Sequence, residues 1–227
     1  MKLVLICAME AEAEGFRSHM TDVRLRQVAG LAFSQGQLWG QEVAVVTSGV
    51  GKVQAARCAQ AAILIFQPEL LIHVGVAGGV GRGIKTGDVV VASDLVEYDF
   101  DLSGLNEGVG QFCSCDGATS RALFSAAQQV LDSGQAYLGR IATGDTFVAD
   151  SVAAARLRDT FGALACEMEG AAVARVCEAN QVPCGVVRAI SDNANESAGA
   201  DYPSFLAAAV KNTERMLAFF LCGGMHH

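Results

Sequence analysis

The chain has 227 residues, 52% hydrophobic and 18% charged, with 24 acidic against 16 basic side chains and a net charge of −8. That length suits one domain, residues 1–227, with a substantial buried core, and the composition excludes a disordered chain. The acidic balance, the sparse aromatics and the lack of a basic stripe argue against nucleic acid and anionic membrane as partners.

The opening run from Met1 to Ala8 has the look of a very short export signal. Glu10, Glu12 and Glu14 follow at once, so it reads instead as a first buried strand. No apolar stretch is long enough to span a bilayer. Of the eight cysteines, Cys7, Cys166 and Cys184 interrupt apolar runs, where the thiol acts as a small hydrophobe. Cys113 and Cys115 form a C-x-C pair with no second pair or nearby histidines to complete a zinc site. This usage predicts reduced thiols, no metal and a cytoplasmic setting.

In chain order, Leu3 to Ala8 is predicted to be a strand and Glu10 to Met20 a helix. Val23 to Val28, Ala32 to Leu38 and Gln41 to Thr47 read as strands, and Gly51 to Phe66 as a helix ended by Gln67-Pro68. Leu70 to Val76 is a strand running into Ala77-Gly78-Gly79, and Asp88 to Val96 another. Residues 101–117, rich in Gly, Ser, Asn and Asp, read as a long loop. Ala118 to Leu131 is helical, Ala136 to Ala142 a strand, and Ser151 caps a helix through Phe161. Ala163 to Met168 is extended, Glu169 to Asn180 helical, Cys184 to Ile190 a strand, and Ser204 to Leu221 the last helix. Several strands are apolar on both faces, which predicts a three-layer α/β domain with helices covering the sheet.

In such sheets ligands gather beyond the carboxyl ends of the strands. Glu10 and Glu12, Ala77-Gly78-Gly79, Glu167 and Glu169, and Ser191-Asp192 all fall at or just past predicted strand ends. Asp192, leaving an apolar strand, is partly desolvated, which raises its pKa toward the range of a general acid; a cap or turn role fits it as well. Glu167 and Glu169 can grip vicinal hydroxyls as anionic acceptors, or supply favourable charge at a helix N-terminus. Glu12 can activate a water or sit on a solvated helix face. Gly49-Val50-Gly51-Lys52 resembles the end of a P-loop, but Val46 stands where the earlier glycine is needed and Val53 replaces Ser or Thr. The small residues around Ala77 and Gly78 permit close backbone approach to a flat ligand. His73, inside an apolar strand, reads as a satisfied core histidine.

Taken together, Ala8-Met9-Glu10-Ala11-Glu12, Ser48-Gly49-Val50-Gly51-Lys52, Gly75-Val76-Ala77-Gly78-Gly79, Gly144-Asp145-Thr146-Phe147, Glu167-Met168-Glu169 and Ile190-Ser191-Asp192 form a series. In order and spacing it resembles the purine nucleoside phosphorylase/uridine phosphorylase superfamily, and within it the 5′-methylthioadenosine/S-adenosylhomocysteine nucleosidases. The resemblance implies a three-layer α/β/α sandwich around a mixed, partly barrel-like sheet. It implies hydrolysis of an N-glycosidic bond with release of adenine, with no cofactor and as a homodimer. Asp192 would then protonate purine N7 and Glu12 would deprotonate the attacking water. Met168 and Glu169 would hold the ribose. Phe147 would stack on the base while the backbone near Val148 reads its edge. Ser191 would support Asp192, and Val50, Tyr202 and Phe205 would line the sugar and 5′ region.

The chain departs from the family pattern at Val76, where the nucleosidases carry serine near the water. Water positioning then falls to Glu12, the backbone or another group. The loop 101–117 lacks an obvious match; in the family this region helps complete a neighbouring subunit's 5′ pocket. Two alternatives stay open: a phosphorylase or other purine-nucleoside hydrolase of the same fold, and a non-catalytic nucleoside-binding protein. Against the phosphorylase, no arginine falls in residues 3–12 or in the strand before Gly75 to bind phosphate.

Overall fold

A computed structural model describes residues 2–223 of the chain. Met1 and the end of the tail, Gly224 to His227, to which the sequence assigns no function, lie outside the described residues.

Strand β1 (Leu3–Cys7) is buried at every position, as a strand covered on both faces must be. Helix α1 (Glu10–Ser18) leads into an antiparallel meander of β2 (Met20–Val28), β3 (Leu31–Leu38) and β4 (Gln41–Thr47). Helix α2 (Lys52–Phe66) returns the chain to β5 (Leu70–Gly79), parallel to β1. Next come β6 (Val89–Asp101), β7 (Val109–Ser114), α3 (Gly117–Val130) and β8 (Ala136–Thr143). The chain finishes with α4 (Ser151–Phe161), β9 (Ala163–Glu167), α5 (Gly170–Ala179), β10 (Cys184–Asp192) and α6 (Ala198–Leu221).

The sheet runs β2-β3-β4-β1-β5-β9-β8-β6-β10, and β10 pairs back onto β5. Five strands therefore close into a barrel, while β1, β4, β3 and β2 extend from it as an open wing. Parallel and antiparallel ladders are mixed, with β10 parallel to β5 and antiparallel to β6. Apolar residues of α2 and α5 fill one face of the sheet, and those of α1, α3 and α6 the other. A smaller cluster beneath α4 includes Val96, Leu157 and Phe161. Each fully buried Leu, Ile or Phe contributes about 1.5–3 kcal/mol, so these layers supply the main driving force. The three-layer arrangement with a mixed, partly closed sheet is the architecture the sequence implies.

Four expectations need correction. Residues 101–117 are not one loop: β6 runs to Asp101, a 3-10 turn covers Ser103–Leu105, and β7 pairs antiparallel with β6. Its polar residues are those of a largely exposed edge strand, in which Cys113 alone is buried, too little to reveal it. The last helix begins at Ala198 rather than Ser204 and contains Pro203 in its second turn. There proline gives up a single hydrogen bond and does not break the helix. Asp150, not Ser151, caps α4: its carboxylate accepts from Ala153 N at 2.7 Å. Met20 lies on β2, not on the first helix.

Candidate active site

The carboxyl end of β5 organises the site because it is built from small residues. A Cβ placed on Gly75 would stand 2.6 Å from Glu12 Oε1, and one on Gly78 would stand 3.0 Å from Asp192 Oδ1. Only glycine lets both acids approach the same strand. A register shift between Ile190 and Asp192 brings Asp192 opposite Gly78, at the end of β10.

Glu12 is buried in the first turn of α1 and accepts three backbone hydrogen bonds. Ala8 N and Met9 N donate to Oε2, each at 2.9 Å, and Val76 N donates to Oε1 at 3.0 Å. The bond to Met9 N is one half of a capping box. Burial raises its pKa, while Arg188 and the three amides pull the other way. The arrangement suits a carboxylate that is anionic yet basic enough to take a proton from water.

Asp192 is also buried. Ser191 Oγ donates to its Oδ2 at 2.9 Å and Ala194 N to its Oδ1 at 2.9 Å. Burial raises its pKa, partly offset by these two donors. The turn role open in the sequence is thus real, and it coexists with a carboxyl group facing the cavity.

Glu167 and Glu169 divide their tasks. Glu167 Oε2 accepts from Glu169 N at 3.0 Å and Gly170 N at 2.7 Å, holding the N-terminus of α5. The same oxygen pairs with Arg188 Nη2 at 2.5 Å, and Thr143 Oγ1 donates to the other. Its acceptors are thereby occupied, so Glu167 acts as an anchor rather than a free ligand. Glu169 keeps more freedom: Gly51 N donates to its Oε1 at 2.7 Å. Burial first, then the neighbouring Glu167, push its pKa up to about 7, and Arg188 opposes them.

Arg188 is the counter-ion of the whole group. It is fully buried in β10, beside His73, whose Nδ1 lies 2.8 Å from Nη2. Burial lowers the His73 pKa well below its ordinary value and Arg188 adds to this, so the ring is neutral. Burial also disfavours the charged guanidinium, but Glu167, Glu169 and Glu12 overcome this and hold the proton more tightly.

A cavity of about 410 Å³ is lined by Glu12, Val50, Val76, Ala77, Gly78, Phe147, Glu167, Met168, Glu169, Ser191, Asp192 and Tyr202. These twelve residues, all singled out in the sequence, therefore meet around one space. Val148 lies next door, in the small recess behind Phe147. Phe205 does not line the cavity: it sits on α6 one turn beyond Tyr202 and is 44% exposed. Ala8, Met9 and Cys166 also line it. Met9, whose Sδ accepts a hydrogen bond from the Tyr202 hydroxyl at 3.0 Å, lies in the Ala8 to Glu12 motif, which is the signal that could have found it. A neighbouring groove of similar volume between α4 and the β6–β7 hairpin shares Phe147 but contains none of the three acids Glu12, Glu169 and Asp192. No arginine or lysine lines the acid-bearing cavity. Among the described residues no cluster of His, Cys, Asp and Glu has the geometry of a metal site.

Known proteins resemble this chain over nearly its whole length. Residues 2–221 match the family model of the phosphorylase superfamily. A 5′-methylthioadenosine/S-adenosylhomocysteine nucleosidase of Shewanella loihica is 37% identical, covering 97% of this chain and 99% of its own. One from Geobacillus kaustophilus is 36% identical, with 97% of each covered. Among solved structures, the Neisseria meningitidis nucleosidase in complex with methylthio-immucillin-A superposes with a TM-score of 0.92 at 33% identity, covering 98% of this chain and 99% of that one. The Streptococcus pyogenes S-adenosylhomocysteine nucleosidase in complex with 5-methylthiotubericidin gives 0.93 at 32% identity, with 100% and 98% covered. The chain belongs to the phosphorylase superfamily and, within it, to the 5′-methylthioadenosine/S-adenosylhomocysteine nucleosidase family.

Proposed function

We propose that this protein hydrolyses the N-glycosidic bond of 5′-methylthioadenosine, S-adenosylhomocysteine or related 5′-substituted adenosines, releasing adenine. The observation that carries this reading is the meeting of Glu12, Glu169 and Asp192 around one cavity otherwise walled by apolar and small residues. Asp192 delivers its proton to purine N7 as the bond from C1′ to N9 breaks, so adenine leaves neutral. Leaving-group protonation by a positioned acid supplies roughly 10²–10⁴ in rate. Glu12 takes a proton from the water whose oxygen bonds to C1′. Glu169 accepts from the ribose hydroxyls and, with Glu12, faces the positive charge developing on the sugar. Met168 packs on the sugar, and Phe147 and Val148 hold the base. Val50 and Tyr202 border the 5′ side. Val76 offers no side-chain hydroxyl; its backbone N–H donates to Glu12 Oε1 at 3.0 Å and aims the carboxylate, which alone is left to position the water.

Hydrolysis is favoured over phosphorolysis because a phosphate dianion would enter beside two carboxylates with no arginine or lysine at the cavity wall. The test is turnover of 5′-methylthioadenosine with and without phosphate, read by chromatography of base and sugar. Adenine and free 5-methylthioribose at equal rates in both are expected; a sugar 1-phosphate would replace this reading with phosphorolysis. No release of adenine, with binding intact, would favour the non-catalytic alternative.

We further infer that residues 1–227 work as one catalytic domain, in the cytoplasm, as a homodimer that returns adenine and the thio-sugar to methionine salvage. Eight free thiols, seven of them buried, suit a reducing compartment. No helix among the described residues is long and apolar enough to cross a membrane. Leu105, Val109 and Phe112 are exposed on and around the β6–β7 hairpin, an apolar surface suited to a second copy. Light scattering should return twice the 23.6 kDa chain mass; a monomer at micromolar concentration would refute the dimer.

A further inference from the structure

Gly51 stands at the N-cap of helix α2 and has no side chain with which to cap it. The missing cap comes from another part of the chain: Asp145 Oδ1 accepts from Lys52 N at 2.9 Å. Asp145 is itself held, its backbone N–H donating to Asp99 Oδ2 at 2.9 Å. Asp99 Oδ1 in turn accepts from Lys52 Nζ at 2.6 Å, which closes a ring through three segments. One residue before Lys52, Gly51 N donates to Glu169 Oε1; two residues after Asp145 stands Phe147. The ring therefore joins the carboxylate at the sugar to the aromatic ring at the base.

The connection is tight. Gly51 has φ 97°, a left-handed value that favours glycine, and a Cβ there would lie 3.2 Å from Asp145 Oδ1. Gly144 N donates to Glu167 O at 3.0 Å, and a Cβ on Gly144 would strike the Tyr98 ring at 2.4 Å. The segment entering Asp145 thus has one course. Burial works against the Asp99 anion, but the Lys52 ammonium and the Asp145 amide hold its pKa below the ordinary value. The Asp99–Lys52 pair stays charged at neutral pH: burial opposes the Lys52 ammonium, yet Asp99 and its neighbours raise its pKa.

We infer that Asp145 is a positioning residue for the nucleoside, acting through Lys52 and Gly51 to hold Glu169 and Phe147 at a fixed separation. The inference rests on the nucleosidase reading above and adds a residue that touches neither base nor sugar. A merely structural cap would change stability alone; this one sets affinity for both halves of the substrate.

The experiment compares the wild type with Asp145→Ala and Asp145→Asn in adenine release from 5′-methylthioadenosine, and in adenine binding by calorimetry. Adenine release by the wild type checks the underlying function on its own, so its failure is distinct from failure here. Asp145→Ala is expected to raise KM and the adenine Kd about tenfold, equivalent to one lost charge-assisted hydrogen bond, with a smaller fall in kcat. Asp145→Asn keeps an oxygen acceptor for Lys52 N and should return both constants to within about threefold. Wild-type constants in Asp145→Ala, or no recovery in Asp145→Asn, overturn the inference. If Asp145→Ala does not fold, Lys52→Pro and Lys52→Ala decide. Both lose the ammonium but only proline loses the N–H, at a first helical position that tolerates it. A higher KM in Lys52→Pro than in Lys52→Ala is expected; equal values refute the role.

Discussion

Gly75 and Glu12 are matched to each other: a Cβ on Gly75 would lie 2.6 Å from the Glu12 carboxylate oxygen that accepts from Val76 N. The strand supplies both the space and the donor that orient the proposed base. Gly75→Ala must therefore move the carboxylate, and a displacement of about 1 Å at a reacting group can cost roughly 10² in rate. We expect kcat to fall about 10²-fold with the circular dichroism spectrum unchanged. Activity close to wild type would show that the carboxylate does not need this position.

Asp192→Asn keeps the size of the side chain and an oxygen acceptor for Ser191 Oγ or Ala194 N, while removing the transferable proton. Substrate affinity should survive. Turnover should drop by about 10²–10⁴, the span of general acid catalysis. Steady-state kinetics and calorimetric binding of a nucleoside measured on the same sample separate the two effects. A variant that turns over normally removes Asp192 from the role of acid.

Much of this site is visible in the sequence because its acids stand where apolar strands end. Glu12 and Asp192 follow or close β1 and β10, which run parallel to β5 and so share its carboxyl end. Glu169 follows β9, which pairs antiparallel with the end of β5 at Gly78 and Gly79. The closure of β10 onto β5 is not visible, since a long-range pairing leaves no periodic trace in either strand. The β6–β7 hairpin is hidden for a related reason: β7 is a largely exposed edge strand in which Cys113 alone is buried, too little to show a period of two. Glu167 reads as a second ribose ligand only while Arg188 is ignored. An arginine within Val186-Val187-Arg188-Ala189-Ile190 is itself the signal that a buried acid must lie opposite, because an unpaired charge there is too costly.

That pairing yields a prediction for stability. Arg188 and Glu167 expose 1% and 2% of their side chains. Removing one partner of a buried ion pair commonly costs about 3–5 kcal/mol, because the other charge is stranded. Arg188→Met strands Glu167 together with Glu169 and Glu12, so we expect a loss in that range by urea denaturation. Glu167→Gln should cost less, since the guanidinium still faces the other two acids. The double variant should recover part of the Arg188→Met loss. A cost under about 1 kcal/mol for Arg188→Met would contradict this picture of the buried pair.

The raised pKa of Glu169 has a consequence for folding with a definite sign. Its folded value is about 7 against an ordinary 4.5, so the folded chain holds this proton more tightly than the unfolded one. The stability gained is fully present below about pH 4.5 and is lost as pH rises through about 7. The difference corresponds to at most about 3–4 kcal/mol at 1.36 kcal/mol per unit. Glu169→Gln cannot ionise and does not suffer this loss, while its amide oxygen can still accept from Gly51 N. Its Tm relative to wild type should therefore climb between pH 5 and pH 7.5 and level off above, even as its turnover falls. A Tm difference that stays flat over that interval would mean that Glu169 is already ionised in the free protein at pH 5, held so by Arg188 despite its burial.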